Sequence, residues 1–171
     1  DNSERDWEYT VSWIDCLSPQ GKGIFIRGNH SQAQRPEPRL REKRMPFTPP
    51  VSLVNGLSLR PFNALYYRSQ VAKTGPALSH YRPFFYPLDG LLEWNRMYGP
   101  RGFYQYQCVV PRAVGHDAIQ SMLDAVARSG TGSFLAVLKT FGERAAPGLL
   151  SFAQPGVTLA LDFPNRGDRT Y

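Results

Sequence analysis

Large apolar residues alternate with polar ones in residues 7–16, the first well-patterned part of the chain. This period of two is typical of a β-strand with one covered face. A connection rich in proline and glycine follows, and residues 24–27 then form a second short apolar run. Two such runs joined by a short turn predict an antiparallel β-hairpin.

A helical period first appears in residues 55–70. Phe62, Leu65 and Tyr66 recur there at the spacing that puts side chains on one side of a helix. Pro61 suits the first turn of such a helix, because its missing N–H would have no partner inside the helix at that position. The pattern therefore predicts a helix with Pro61 near its beginning.

The second half of the chain predicts a strand, a helix and two more strands, at residues 102–111, 117–128, 133–141 and 157–163. Asp117 falls in the predicted first helical turn, where a negative charge is favourable. Four apolar residues share one side of this helix: Ile119, Met122, Leu123 and Val126. This side is expected to pack against the sheet, with Gly130 ending the helix.

The predicted strands outnumber the helices, and several connections look antiparallel. The sequence therefore predicts an α+β fold, with a mostly antiparallel sheet, helices packed on one face and a ferredoxin-like build. Residues 1–171 fit one domain, since the length suits a single core and no internal repeat is present. Residues 31–50 show no period and predict a long loop, whereas residues 91–97 predict two helical turns.

Composition and charge are those of a globular protein. Hydrophobic residues make up 42% of the chain, and no apolar run approaches the ~20 residues that a membrane helix needs. Much of the net charge of +6 comes from the proline-rich segment 35–44, which we expect to be solvated and to bind no nucleic acid. Cys16 and Cys108 are expected to be reduced core residues, which favours a cytoplasmic location.

The strand at residues 102–111 carries polar residues at alternate positions. Gln105 and Gln107 share one of its faces, because successive side chains point to opposite sides of a sheet. Neither face is wholly polar, so both are expected to be covered. An unpaired buried amide costs about 1–3 kcal/mol, so the two glutamines need partners. A polar ligand would supply them, and backbone groups would do so equally in a purely structural pair.

The next two strands repeat this mixed pattern. Lys139 shares a face with apolar residues and needs either an anion or a route to solvent. Thr158 and Asp162 lie on the less apolar face of the last strand, where Asp162 could instead pair with Lys139 or Arg27 in a structural role. If these faces coincide, they form a platform that suits a hydroxylated ligand, with helix 117–128 covering the opposite face.

The sequence indicates neither a metal site nor a cofactor-binding motif. It contains no G-x-G-x-x-G, no G-x-x-x-x-G-K-[ST] and no H-E-x-x-H pattern. His30, His80 and His116 are scattered, without neighbours that would complete a set of metal ligands.

An ordered string of short motifs runs through the second half of the chain. These motifs are Phe85-Tyr86-Pro87-Leu88-Asp89, Glu93-Trp94-Asn95-Arg96, Tyr98-Gly99-Pro100, Gly102-Phe103-Tyr104-Gln105-Tyr106-Gln107, Ser133-Phe134-Leu135-Ala136-Val137-Leu138-Lys139, Pro155-Gly156 and Asp162-Phe163-Pro164. Together they resemble the C-terminal substrate domain of the decaprenylphosphoryl-β-D-ribose oxidase family, which are FAD-linked oxidases of the vanillyl-alcohol oxidase superfamily. The resemblance extends over residues 7–164.

The resemblance implies a substrate-binding (cap) domain that covers the flavin ring of a flavin-binding domain in the same polypeptide, outside this sequence. FAD would be held by the whole protein and not by this chain alone, and the flavin would take a hydride from a sugar carbon. The substrate would be a small molecule, with a lipid-linked or phosphorylated sugar as one candidate. The resemblance implies six substrate-binding residues: Phe85, Gln105, Gln107, Lys139, Phe141 and Thr158. Two positions depart from the family: Phe85 stands where a tyrosine is common, and Ala160 where mycobacterial-type members carry a cysteine.

Two other interpretations stay open. Another FAD-linked oxidase, acting on an alcohol or a hydroxy acid, would share this architecture. A stand-alone ferredoxin-like module that binds a ligand or nucleic acid would have no large exposed apolar face. A flavoenzyme domain predicts instead a docking surface rich in the aromatic residues between Tyr81 and Tyr106.

Overall fold

The computed structural model describes residues 2–18, 21–33, 42–168 and 170. Within them the helices and strands are, in chain order, β1 (Tyr9–Ile14), β2 (Gly23–Gly28), β3 (Lys43–Arg44), α1 (Gly56–Val71), α2 (Tyr81–Phe85), β4 (Leu91–Leu92), β5 (Phe103–Val110), α3 (Arg112–Ser129), β6 (Val137–Phe141) and β7 (Gly156–Pro164). Two 3-10 helices accompany them, Asn2–Arg5 and Trp94–Tyr98.

Five strands form the main sheet, in the order β2-β1-β6-β7-β5, and each neighbouring pair is antiparallel. The predicted α+β class with a mostly antiparallel sheet is therefore confirmed, as is the hairpin formed by β1 and β2. Strands β5 and β6 both pair antiparallel with β7, so they run parallel to each other with β7 between them. Helix α3 makes the connection from β5 to β6, and β5 is left as an edge strand.

Helix α3 covers one face of the sheet, as predicted. Its apolar residues join a cluster with the buried Leu159 of β7 and with Leu138 of β6. Cys108 Sγ of β5 lies 3.7 Å from Met122 Sδ of the helix. The cluster around this interface contains Ile119, Met122, Leu123, Val126, Leu138, Val157, Leu159 and Leu161.

The bounds of both long helices differ from the predicted ones. Helix α3 begins at Arg112, directly after Pro111, so Asp117 does not lie in its first turn. Helix α1 begins at Gly56, so Pro61 lies in its second turn. Its start is fixed by Asn55, whose side chain accepts hydrogen bonds from the first turn. Capping therefore decided the beginning of α1, whereas Gly130, with a φ of 65°, ends α3 as predicted.

The helices do not all lie on one face, which corrects the prediction. Trp13 of β1 points away from α3, and the centre of its ring lies 4.8 Å from the centre of the Tyr66 ring in α1. A Cβ on Gly28 of β2 would come within 2.8 Å of the Phe84 ring of α2. Both short contacts place α1 and α2 on the second face, which the long connection between β2 and β5 has to cross.

The predicted loop at residues 31–50 contains a short strand among its described residues. Its residues 34–41, with most of the basic segment, lie outside the described residues. Lys43 and Arg44, however, pair in parallel with Leu91 and Leu92, so the latter two do not begin a helix. Of the helical turns predicted at residues 91–97, only the part from residue 94 onward is helical, in the 3-10 helix Trp94–Tyr98. Among the described residues, no helix has the length and apolar character needed to cross a membrane.

Candidate functional site

The polar residues of β5, β6 and β7 meet on the face that α3 leaves open. Gln105 lies opposite Asp162 across β5 and β7, and Lys139 lies opposite Thr158 across β6 and β7. Opposite residues of antiparallel strands project to the same side of a sheet, and Gln107 follows Gln105 at a spacing of two. The predicted placement on one face is therefore correct. We call this set the polar platform: Gln105, Gln107, Lys139, Thr158 and Asp162.

The platform has a buried floor and an exposed edge. Thr158 and Asp162, on the inner strand β7, are only 2% and 1% exposed. Gln105 and Gln107, on the edge strand β5, are exposed. Gln105 Nε2 donates to Asp162 Oδ1 at 3.0 Å, and Gln107 Nε2 donates to Thr158 Oγ1 at 3.2 Å. A buried group thus holds each glutamine from one side and leaves the rest of its amide open to a ligand.

The expectation that both faces of β5 are covered is wrong for its first half. Tyr104 and Tyr106 point to the side of α3 but remain 39% and 47% exposed. The helix reaches only as far as Cys108 and Val110 at the other end of the strand. An edge strand has a neighbour on one side only, so one helix does not shield its whole length.

Lys139 presents an exposed ammonium group beside this floor. Among the described residues no carboxylate forms an ion pair with it. The structural pairing of Asp162 with Lys139 or Arg27 is therefore not formed in the described structure, where Asp162 Oδ1 accepts from Gln105. Arg27 lies on the other face, with its guanidinium carbon 5.0 Å from the centre of the Trp7 ring. The positive charge of Lys139 is thus available to an anionic group.

Aromatic side chains border the platform at the end opposite Asp162. Phe141 is half-buried, and its ring lies 6.5 Å from that of Phe152. Phe85 is 41% exposed and packs edge-on against Tyr9, with ring centres 4.9 Å apart. Tyr9 is on the platform side of β1, because Val11, two residues on, lies opposite Lys139. All six predicted site residues therefore belong to one side of the sheet.

The sequence did not single out Tyr9 as a candidate. Its hydroxyl lies 3.0 Å from Glu8 Oε1 and 3.0 Å from His30 Nε2. The hydrogen bond to Glu8, followed by burial, raises the pKa of the Tyr9 hydroxyl. The alternation in residues 7–16 already placed Tyr9 on one face, but His30 lies after the end of β2 and Phe85 lies in α2, so only the fold brings them to Tyr9.

Asp162 has an unusual electrostatic environment for a carboxylate. Burial raises its pKa, and the hydrogen bond from Gln105 acts in the opposite direction. Its second oxygen, Oδ2, is buried without a hydrogen-bond partner in the described structure, and so is the hydroxyl of Tyr98. Burial and then the charge of Asp162 raise the pKa of Tyr98. The carboxylate of Asp162 is thus held where its charged form is poorly solvated, which is unfavourable for the folded state.

The described residues contain no cluster of histidine, cysteine and acidic side chains that could hold a metal ion. Cys16 is buried and Cys108 half-buried, and both are free thiols. Chemically, the platform can bind and orient a ligand through two exposed amides and one cation, whereas the buried Thr158 and Asp162 hold the two amides in place. The aromatic border can take an apolar part of the same ligand.

No protein-family model matches the chain, but a comparison with characterised proteins finds clear similarity. The chain is 33% identical to the decaprenylphosphoryl-β-D-ribose oxidase of Mycolicibacterium smegmatis over 178 aligned positions. The alignment covers 96% of this chain but 38% of that protein, so the chain spans well under half of its relative's length. The resemblance inferred from the ordered motifs is confirmed by this match.

Proposed function

We propose that this chain is the substrate-binding (cap) domain of an FAD-dependent oxidoreductase similar to decaprenylphosphoryl-β-D-ribose oxidase. In this proposal the polar platform faces a flavin held by another domain of the same polypeptide, and a sugar hydroxyl is oxidised by hydride transfer to that flavin. The chain alone would be inactive. The observation that carries the proposal is the coincidence of a match along 96% of the chain with an open platform formed by residues from three strands.

The residues of the platform fit one wall of such a site. FAD, when bound, supplies the hydride acceptor. Lys139 offers a positive charge to an anionic part of the ligand, and the exposed amides of Gln105 and Gln107 offer hydrogen bonds to its hydroxyl groups. The sequence has no glycine-rich phosphate-binding motif, so the dinucleotide part of the cofactor would be held by the other domain.

A flavin-binding domain would need an apolar surface against which to dock. Several large side chains between residues 81 and 106 are exposed: Tyr81, Phe85, Tyr86, Tyr104 and Tyr106. On α1, Leu57 is 91% and Leu65 is 70% exposed. Exposed apolar surface of this extent is typical of an interface and argues against a stand-alone binding module. The cytoplasmic location inferred from the free cysteines stays a prediction.

The proposal is tested in the full-length protein with Lys139→Ala and Gln107→Ala. We expect both variants to retain bound FAD and the wild-type melting temperature, and to reduce the flavin more slowly with polyprenylphosphoryl-β-D-ribose. The loss of one charged hydrogen bond of about 1.5–3 kcal/mol predicts a loss in kcat/KM of about ten- to one hundredfold for Lys139→Ala.

Matched controls are Lys22→Ala, an exposed lysine before β2, and Gln120→Ala, an exposed glutamine on the outer side of α3. Both should behave like the wild type. A full-length protein purified without flavin would contradict the proposed cofactor. Loss of folding in Lys139→Ala or Gln107→Ala would show that the platform is structural.

A further inference from the structure

The two glutamines of the platform have chemically different partners, and the difference bears on the kind of ligand group that each can bind. Gln107 Nε2 donates to Thr158 Oγ1 and Gln105 Nε2 donates to Asp162 Oδ1. A hydroxyl group can donate or accept, so Thr158 allows either end of the Gln107 amide to face it. An ionised carboxylate only accepts, so Asp162 allows only the NH₂ end of Gln105 to face it.

Asp162 is positioned firmly enough to impose this orientation. It lies on β7, an inner strand that pairs with β5 and with β6, and is 1% exposed. Its backbone N–H donates to Ser133 Oγ at 3.2 Å, and Ser133 is itself buried. Gln105 is directly opposite in the register of β5, so its side chain reaches the carboxylate without crossing the strand. Charge-assisted hydrogen bonds of this kind are stronger than neutral ones.

Gln105 keeps its other side available. Its side chain is exposed although its amide is fixed from below. With one N–H of the NH₂ group bonded to Asp162, the second N–H and the carbonyl oxygen Oε1 are left, and Oε1 is the acceptor whose position this bond fixes. A carbonyl oxygen accepts hydrogen bonds and cannot donate one.

We infer that Asp162 is a positioning residue that fixes the orientation of the Gln105 amide, so that the carbonyl oxygen is held where it can accept a hydrogen bond from the ligand, for example from a sugar hydroxyl. Gln107 is held by a hydroxyl group, so either end of its amide can face the ligand and bind a hydrogen-bond donor or an acceptor. This inference rests on the proposed function for the identity of the ligand as a sugar. The link between Asp162 and Gln105 stands independently of the reaction.

The test compares wild-type full-length protein with Asp162→Asn, Gln105→Leu and the double variant. Asparagine keeps the size of the carboxylate but can face Gln105 with either end of its amide, so the orientation is no longer imposed. The probes are polyprenylphosphoryl-β-D-ribose and analogues in which one ring hydroxyl is replaced by fluorine, which does not donate. Dissociation constants are measured at mildly alkaline pH by quenching of flavin fluorescence.

One fluorinated analogue should bind the wild type about tenfold more weakly than the parent, the loss expected for one hydrogen bond to a fixed acceptor. This penalty should shrink about threefold or more in Asp162→Asn and vanish in Gln105→Leu. The double variant should match Gln105→Leu, since Asp162 acts only through Gln105. Equal penalties in the wild type and Asp162→Asn, or additive effects in the double variant, would overturn the inference.

A second readout does not depend on ligand binding. The protein is labelled with ¹⁵N in its glutamine side chains, and Gln105→Leu identifies the Gln105 amide signals. These signals should be protected from hydrogen exchange in the wild type and lose that protection in Asp162→Asn. Gln120, whose Nε2 donates to Asp124 Oδ1 at 2.9 Å on the exposed side of α3, gives the matched pair. Asp124→Asn should leave the Gln105 signals unchanged.

The two readouts separate the possible failures. A wild-type protein that binds none of the sugar probes but shows Gln105 protection lost in Asp162→Asn contradicts the proposed function and retains the positioning role. Unchanged Gln105 protection in Asp162→Asn, with the variant folded, contradicts the positioning role itself.

Discussion

Helix α3 approaches β7 so closely at Gly115 that a single added methyl group should lower the stability of the domain. A Cβ on Gly115 would lie 2.8 Å from Val157 Cγ2 and 3.5 Å from Val157 Cβ. Carbon atoms are most favourably placed at about 3.5–4.0 Å, so the helix or the strand would have to move. Gly115→Ala adds such a Cβ.

Two effects of opposite sign compete in this variant. Replacing glycine by alanine inside a helix stabilises it by about 0.5–1 kcal/mol. Overpacking a close contact costs about 1–3 kcal/mol, and the neighbour here is a β-branched side chain with little rotamer freedom. The overlap should win, so we expect Gly115→Ala to lower the free energy of unfolding by about 1–2 kcal/mol.

Urea unfolding of Gly115→Ala, Val157→Ala and the double variant measures the effect. Removing the Val157 methyl groups makes room for the new methyl, so the double variant should lose about 1 kcal/mol less than the sum of the single losses. Gly56→Ala is the control, because the nearest atom to its added Cβ, the Gly130 carbonyl oxygen, is 3.8 Å away. A more stable Gly115→Ala, or additive single effects, would refute the close packing of α3 on β7.

Three further predictions concern capping, an unpaired hydroxyl and a titrating carboxyl. Asn55→Ala should lower the free energy of urea unfolding by about 1 kcal/mol, because the cap of α1 is lost; a change near zero would contradict the capping geometry. Tyr98→Phe should leave the thermal midpoint unchanged or raise it, since the buried hydroxyl has no hydrogen-bond partner in the described structure; a lower midpoint would reveal one. Burial raises the pKa of Asp162, so the folded state holds its proton more tightly than the unfolded state does. Wild type should therefore lose stability relative to Asp162→Asn as pH rises from the acid range through that pKa; a difference that is independent of pH would contradict the raised pKa.

Local periodicity was sufficient to predict which residues of each strand share a face. The alternation that puts Gln105 and Gln107 on one face depends only on the geometry of a single strand. The same holds for Lys139 and for Thr158. Their coincidence on one side also needed the register, which the apolar residues under α3 constrain, because a slip by one residue would bury Lys139.

The parts that the sequence did not predict depend on contacts between distant segments. The short strand of Lys43 and Arg44 forms by pairing with Leu91 and Leu92. An ion pair adds to this contact, with Arg44 Nη1 3.2 Å from Glu93 Oε1. A segment of two residues has no period that could reveal it. The placement of α1 on the platform side likewise follows from tertiary packing of Tyr66 on Trp13.

The role of Asp162 required both kinds of information. Alternation placed it on the less apolar face, but its partner is set by the pairing of β5 with β7. A carboxylate that is buried, with one oxygen unpaired and its pKa raised, is a poor choice for the stability of a central strand. Ala160 and Pro164, which share the platform face of β7 with Asp162, are apolar, so this face of the strand accepts apolar residues. A local violation of this kind is typical of a functional position, where stability is lost in exchange for a defined geometry. The geometry that the hydrogen bond of Asp162 defines is the orientation of the Gln105 amide. At neutral pH, Asp162→Asn should therefore be more stable than the wild type and should discriminate less well between the sugar probes.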